Sequence, residues 1–329
     1  MKKKLAGGML IVGMTMVLFT AGCQNQSSKS LENEKAYRQI GINKMEEGDY
    51  EGAIEAFQTA LDESMAMVRP LEIDISYYKA MAEYKSGDAK AALKTYTALI
   101  EYDKKNGDAY YLRGCLYLEK DKPEKAEQDF NKAVELDDSN YDLYIGIYEN
   151  YLSVDMEEKG ISYLEQALKI SGTKESDYLG KGKAYFALED YENAKQSLDK
   201  ADPKDPDTIL CLAGIYNAEG EKDKAKELYE SYLNQNPDDT SVFNELGCIQ
   251  MQEENYEEAL FYFQTALGTE EPANEQELRR NEIAAYEYLG DFTQAAAKME
   301  AYIADYPDDE EAQREYTFLK SRTMPNVQE

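Results

Sequence analysis

The chain has 329 residues, a formal charge of -30, and neither histidine nor tryptophan. The missing histidine removes His-based triads, imidazole acid–base catalysis and most zinc sites. The acidic balance argues against nucleic acid, whose phosphates need lysine and arginine, and disfavours direct contact with anionic lipid headgroups.

Taken in order, Lys2, Lys3 and Lys4 form a basic start. Leu5 to Phe19 is an apolar run, shorter than the ~20 residues a membrane-spanning helix needs. Thr20-Ala21-Gly22-Cys23 ends it. This segment resembles a bacterial lipoprotein signal, whose lipobox usually reads Leu-Ala-Gly-Cys, with Thr20 in the leucine slot. The resemblance implies cleavage before Cys23, acylation of that cysteine, and a chain held by lipid at the extracytoplasmic face of a bacterial membrane. Acyl chains contribute ~0.8 kcal/mol per buried CH2, so a multiply acylated cysteine anchors stably. The alternative is an ordinary secretory signal with an incidental cysteine. Loss of residues 1–22 removes three lysines and no acid, which takes the charge from -30 to -33. Gln24 to Ser30 is polar and reads as a tether; residues 23–33 together link the lipid to the folded part.

From residue 34 a unit recurs. Small residues stand at Ala53, Ala92, Ala126, Gly160, Ala194, Ala225, Ala259 and Ala295, mostly 34 apart. Four residues beyond each is a large one: Phe57, Tyr96, Phe130, Leu164, Leu198, Tyr229, Phe263 and Met299. Apolar residues spaced by three and four put one stripe on each of two short helices. Between the stripes come Gly48-Asp49, Gly87-Asp88, Glu189-Asp190 and Gly290-Asp291. Glycine there ends one helix in the left-handed conformation, and aspartate caps the next. In the unit 240–273, Asn255 takes the cap position, and Glu258 is placed to complete a capping box.

That unit carries Phe243, Leu246, Gly247, Ala259 and Phe263 at the spacing of the tetratricopeptide pattern. The chain therefore resembles the tetratricopeptide repeat family over residues 34–309. The resemblance implies an all-α, right-handed superhelical solenoid of about eight helix–turn–helix repeats. The units read 34–67, 73–106, 107–140, 141–174, 175–205, 206–239, 240–273 and 276–309. The fourth departs most, with Tyr148 where glycine is expected and Gly160 for alanine. The longer connection Ser64–Glu72, with Pro70, predicts that units one and two splay apart. Residues 310–329 are expected to form a capping helix bearing Tyr316, Phe318 and Leu319, then a frayed tail.

Cys115, Cys211 and Cys248 fall at small-residue positions of first helices and read as buried, unpaired thiols. No C-x-x-C, P-loop or G-x-G-x-x-G occurs. The clusters Asp137-Asp138, Asp202 to Asp207 and Asp308-Asp309 miss the calcium-loop spacing and sit where units join, so they read as caps. These readings leave no catalytic residue, no metal site and no cofactor.

In tetratricopeptide arrays the inner slots of the first helices line a concave groove. Carried onto this sequence, they select Tyr77, Met81, Tyr84, Tyr111, Leu118, Ile145, Leu152, Leu179 and Phe186, with Arg38, Asp74, Cys115 and Leu210 beside them. The Lys/Asn/Arg carboxylate clamp of some members is absent. An apolar, tyrosine-rich run of this kind suits an extended segment or a helix of a protein partner. The resemblance thus implies a non-catalytic scaffold that binds a protein or peptide in its groove and meets the membrane only through its lipid. A lipoprotein that captures a small ligand such as a saccharide is the alternative, and a carboxylate-pair hydrolase is a third class.

Overall fold

The computed structural model describes residues 29–64, 68–270 and 272–323. Cys23, the segment before it, the start of the tether and the tail from 324 lie outside the described residues. The chain divides into two compact units, one up to Ile170 and one from Ser171 on.

Among the described residues the first unit comprises four helical hairpins. They pair α1 (29–46) with α2 (Tyr50–Glu63), α3 (Pro70–Lys85) with α4 (Ala89–Tyr102), α5 (Gly107–Glu119) with α6 (Pro123–Leu136), and α7 (Tyr141–Leu152) with α8 (Glu157–Ala167). The second unit has four more and a closing helix. Its pairs are α9 (Glu175–Ala187) with α10 (Tyr191–Leu198), α11 (Pro206–Ala218) with α12 (Lys222–Leu233), α13 (Thr240–Gln252) with α14 (Tyr256–Leu267), and α15 (Glu275–Tyr288) with α16 (Phe292–Asp305). The last helix is α17 (Glu310–Thr323). The architecture is all-α, with paired helices throughout.

The turns follow from local chemistry. Gly48 and Gly290 take φ of 75° and 77°, a region glycine enters without steric cost. Asp49 Oδ1 then accepts from the Gly52 N–H at 2.9 Å, and Asp291 Oδ1 from Gln294 at 3.1 Å, which satisfies donors the helix starts leave open. Asp88 and Asp190 cap α4 and α10 in the same way. Asp121, Asp155, Glu189 and Glu254 adopt the left-handed turn without glycine, at φ of 52° to 64°, at a cost of about 1 kcal/mol each. Asn255 does not build the expected capping box. It occupies the cap position, but its side chain makes no cap bond; the amide instead donates to Gln250 Oε1 at 2.9 Å, tying the turn to a buried residue of α13.

Five of the hairpins close on a glycine-for-large exchange. Gly114 faces the fully buried Phe130, and a Cβ there would lie 2.7 Å from the ring. Gly41 serves Phe57, Gly182 serves Leu198, and Gly247 serves Phe263 in the same manner. The fourth hairpin inverts the pair. Tyr148 is the large residue on its first helix, and Gly160 on the second makes room, since a Cβ on Gly160 would sit 2.9 Å from Tyr148 Cδ2. What looks like a double departure in sequence is one compensated exchange.

Hairpins one and two are not splayed. Pro70 is the first residue of α3, where its missing N–H costs nothing. Ile75 and Ala82 of α3 bury fully against Ala53, Phe57 and Ala60 of α2, and the Phe57 and Tyr78 rings stack at 5.8 Å. Arg69 ion-pairs with both the buried Glu34 of α1 and Glu72 of α3, which further ties the first hairpin to the second.

In α17, Ala312 and Leu319 are fully buried against Met299 and Tyr302 of α16. Phe318 points outward instead, 49% exposed under the Arg322 guanidinium, because successive residues fall on different helix faces. Burial, and next the neighbouring Glu315 carboxylate, push the Glu287 carboxyl up to about 7. Arg280, which pairs with Glu315 at 2.7 Å, opposes this only partly. The folded pKa lies above the ordinary value, so folding holds the proton. That stabilisation is full below the ordinary carboxylate range and is lost as pH rises through about 7. We expect amide exchange in α17 to be slower at about pH 5 than at about pH 8 after correction for intrinsic rates, and Glu287→Gln to flatten the difference. An unchanged pH dependence in that variant would show that another group governs it.

Candidate functional site

In the first unit the selected tyrosines stand on first helices, and each braces a neighbour. Tyr77 is half-buried and its hydroxyl donates to Asn106 Oδ1 at 2.5 Å; the same oxygen caps α5 through the Ala109 N–H. Burial pushes the Tyr77 phenol up to about 12, so it remains a donor. Tyr84 donates to Glu119 Oε1 on α5 at 2.6 Å. Tyr111 accepts from Asn150 Nδ2 on α7 at 3.1 Å. Its hydroxyl lies over Gly146, where a Cβ would be 2.7 Å away. Arg38 of α1 pairs with Asp74 of α3 at 2.5 Å.

Exposure then separates rungs from surface. Met81, Tyr84 and Leu152 are 40%, 41% and 45% exposed. Tyr77, Tyr111 and Ile145 are half-buried. Leu118 is not a lining residue. It is 4% exposed and packs with Ala126, Phe130 and Tyr151, because its side chain turns toward α6 within its own hairpin.

In the second unit, Leu179 is half-buried and packs against Ala194, Leu198 and Cys211. Phe186 and Leu210 line an open cleft of about 510 Å3 together with Gly214, Asn217, Tyr229, Val242 and Glu245. Gly214 lets the Phe186 ring come close, since a Cβ there would be 2.9 Å from Cζ. Glu245 projects from α13 and accepts a long hydrogen bond of 3.4 Å from Asn217 Nδ2 on α11. Burial, and next the Glu277 charge, raise its carboxyl above the ordinary range. The inner-slot reading missed Glu245. No local signal marks it, because the cleft is formed by α11 and α13 together.

Among the described residues the thiols, Cys115, Cys211 and Cys248, are unpaired. Cys211 is buried, whereas Cys115 and Cys248 are only half-buried. Burial pushes Cys115 and Cys211 up to about 12 and Cys248 to about 11, so none is a ready nucleophile. Some of the joining aspartates act as caps, but not Asp137-Asp138: α7 is capped by Asn140, whose amide donates to Asp137 Oδ2 at 2.9 Å. Asp205 accepts from the Asp207 and Thr208 N–H groups. Asp239 and Asp309 each cap a helix with one oxygen and accept from a tyrosine, Tyr232 or Tyr302, at 2.8 Å with the other.

Models described as tetratricopeptide repeat match residues 38–89, 107–140, 185–246, 240–271 and 283–309. The chain belongs to the tetratricopeptide repeat family. No curated protein matches it. Among solved structures it is similar to a tetratricopeptide repeat protein from Parabacteroides merdae at 16% identity, with a TM-score of 0.49, over 88% of this chain and 99% of that one. The Cut9–Hcn1 hetero-tetramer of the APC/C is similar at 15% identity and a TM-score of 0.49, over 84% of this chain and 53% of that one. Pseudomonas aeruginosa pilF is similar at 22% identity and a TM-score of 0.43, over 67% of this chain and 99% of that one. This tetratricopeptide repeat chain has no helix among its described residues that is long and apolar enough to cross a membrane.

Proposed function

We propose that this protein is a non-catalytic scaffold that holds a protein or peptide partner on its first-helix faces, tethered by lipid on Cys23 at the extracytoplasmic face of a bacterial membrane. The observation that carries the binding role is the exposed apolar surface of Met81, Tyr84 and Leu152 on α3 and α7. Large apolar groups left in water beside polar neighbours are what a partner's contact surface offers to bury. The tether rests on Lys2 to Lys4, the apolar run and Thr20-Ala21-Gly22-Cys23. A hydrolase needs two carboxyl groups converging on one bond. The cleft of the second unit has Glu245 in its lining, while Glu277 is engaged by Asn244 Nδ2 at 3.0 Å.

The test uses photo-crosslinking groups at Met81 and Leu152 in living cells. The captured partner should be retained at least about tenfold less by the double variant Met81→Ala, Tyr84→Ala, as for loss of an interface hot spot, with the helical circular dichroism unchanged. Tyr111 is a poorer probe because it also braces α7. Unchanged retention would end the groove reading. Cys23→Ala should release the protein from membranes or leave the precursor uncleaved. A wild-type protein that is already soluble and begins at another residue would end the lipid reading.

A further inference from the structure

The cleft between α11 and α13 differs from the tyrosine-rich face of the first unit. One wall is apolar, formed by Phe186, Leu210 and Val242. The cleft's polar side chains include the Glu245 carboxyl, the Asn217 and Gln252 amides and the Ser241 hydroxyl, and Glu245 is the one acid among them. Among the described residues Glu245 has no ion-pair partner. No lysine or arginine lines the cleft; on the flanking helices Lys183 pairs with Asp207 at 2.6 Å, and Lys226 with Glu253 at 2.9 Å. Glu277 adds a second negative charge behind Glu245, held by Asn244.

We infer that this cleft takes a basic side chain, arginine or lysine, of the polypeptide that the protein holds. The inference rests on the protein-binding role proposed above and specifies the chemistry of the partner. A half-buried carboxylate without a counter-ion carries an uncompensated desolvation cost. A cation from the partner removes that cost, while an anionic side chain is repelled and a neutral one leaves it in place. The volume, about 510 Å3, admits an extended side chain and part of its backbone. Phe186 in the lining supplies an aromatic ring beside the carboxylate's cleft, and aromatic rings favour guanidinium over a neutral amide. Gly214 keeps the ring close to the cleft floor. Burial, and next the Glu277 charge, disfavour the charged form of Glu245, and a cation of the partner would offset both.

The experiment compares two fluorescein-labelled peptides of alanine and leucine, one with a central arginine and one with citrulline, its neutral isostere. Fluorescence anisotropy with the full chain should show the arginine peptide binding about tenfold tighter, the scale of one charge-assisted hydrogen bond. Glu245→Gln, an isosteric change on a half-exposed side chain, should abolish that preference. The double variant Glu257→Gln, Glu258→Gln on exposed positions of α14 should keep it. Equal binding of the two peptides by the wild type would overturn the inference. So would a preference that survives Glu245→Gln, or one lost equally in the α14 variant, which would assign it to the general acidic surface. Partner capture at Met81 and Leu152 reads the first unit alone, so failure here and failure of the scaffold reading are told apart.

Discussion

Phe130→Ala is expected to destabilise the first unit by about 3–5 kcal/mol, the range for deleting a buried aromatic ring. The ring is fully buried and meets three others, with centroids 6.0 Å from Tyr111, 5.5 Å from Tyr151 and 6.4 Å from Tyr163. The last two approach edge-on, the geometry in which such pairs add about 0.5–1.5 kcal/mol each beyond burial. Because Gly114 has no side chain to fall into the space, the cavity persists and its full cost is felt. Phe130→Leu should cost less than half as much, since Leu198 fills the corresponding place opposite Gly182. Urea unfolding followed by far-ultraviolet circular dichroism measures both. A loss below about 1 kcal/mol for the alanine variant would mean that the hairpin closes without the ring.

Arg113→Met should cost about 3–5 kcal/mol as well, for a different reason. Arg113 donates to Asp129 through Nε at 2.7 Å and Nη2 at 2.8 Å, and to Thr97 Oγ1 through Nη1 at 3.1 Å. Its guanidinium lies 5.7 Å from both the Tyr110 and Tyr117 rings. The two side chains are 15% and 8% exposed, so removing the cation strands a buried carboxylate. Removing both charges, as in Arg113→Met with Asp129→Leu, should restore most of the loss, because desolvation nearly cancels the attraction in a buried pair. The diagnostic is the double-mutant cycle: the double variant should be more stable than Arg113→Met alone. Additive losses would show that the pair is solvated in solution.

These two sites differ in how far they can be read from the chain alone. Phe130 was visible, because its spacing from Ala126 recurs through the array. The partnership of Arg113 with Asp129 was not. Arginine and aspartate are common on the outer faces of such helices, and nothing local marks a pair sixteen residues apart as buried.

The sequence by itself determined the hairpins, their turns and most of their caps. Those depend on contacts within a few residues: a left-handed residue at Gly48 or Gly290, an aspartate three residues before a free N–H, a stripe at helical spacing. Tertiary structure alone decided which stripe residues keep an exposed face. Leu118 and Leu152 both ranked as lining, yet one is sealed beneath Phe130 and the other stands in water. Helical spacing specifies the direction of a side chain relative to its own axis, whereas exposure depends on where the next helix lies. The same reason hid Glu245: its place at the rim of a cleft is set jointly by α11 and α13, and the chain states each helix separately.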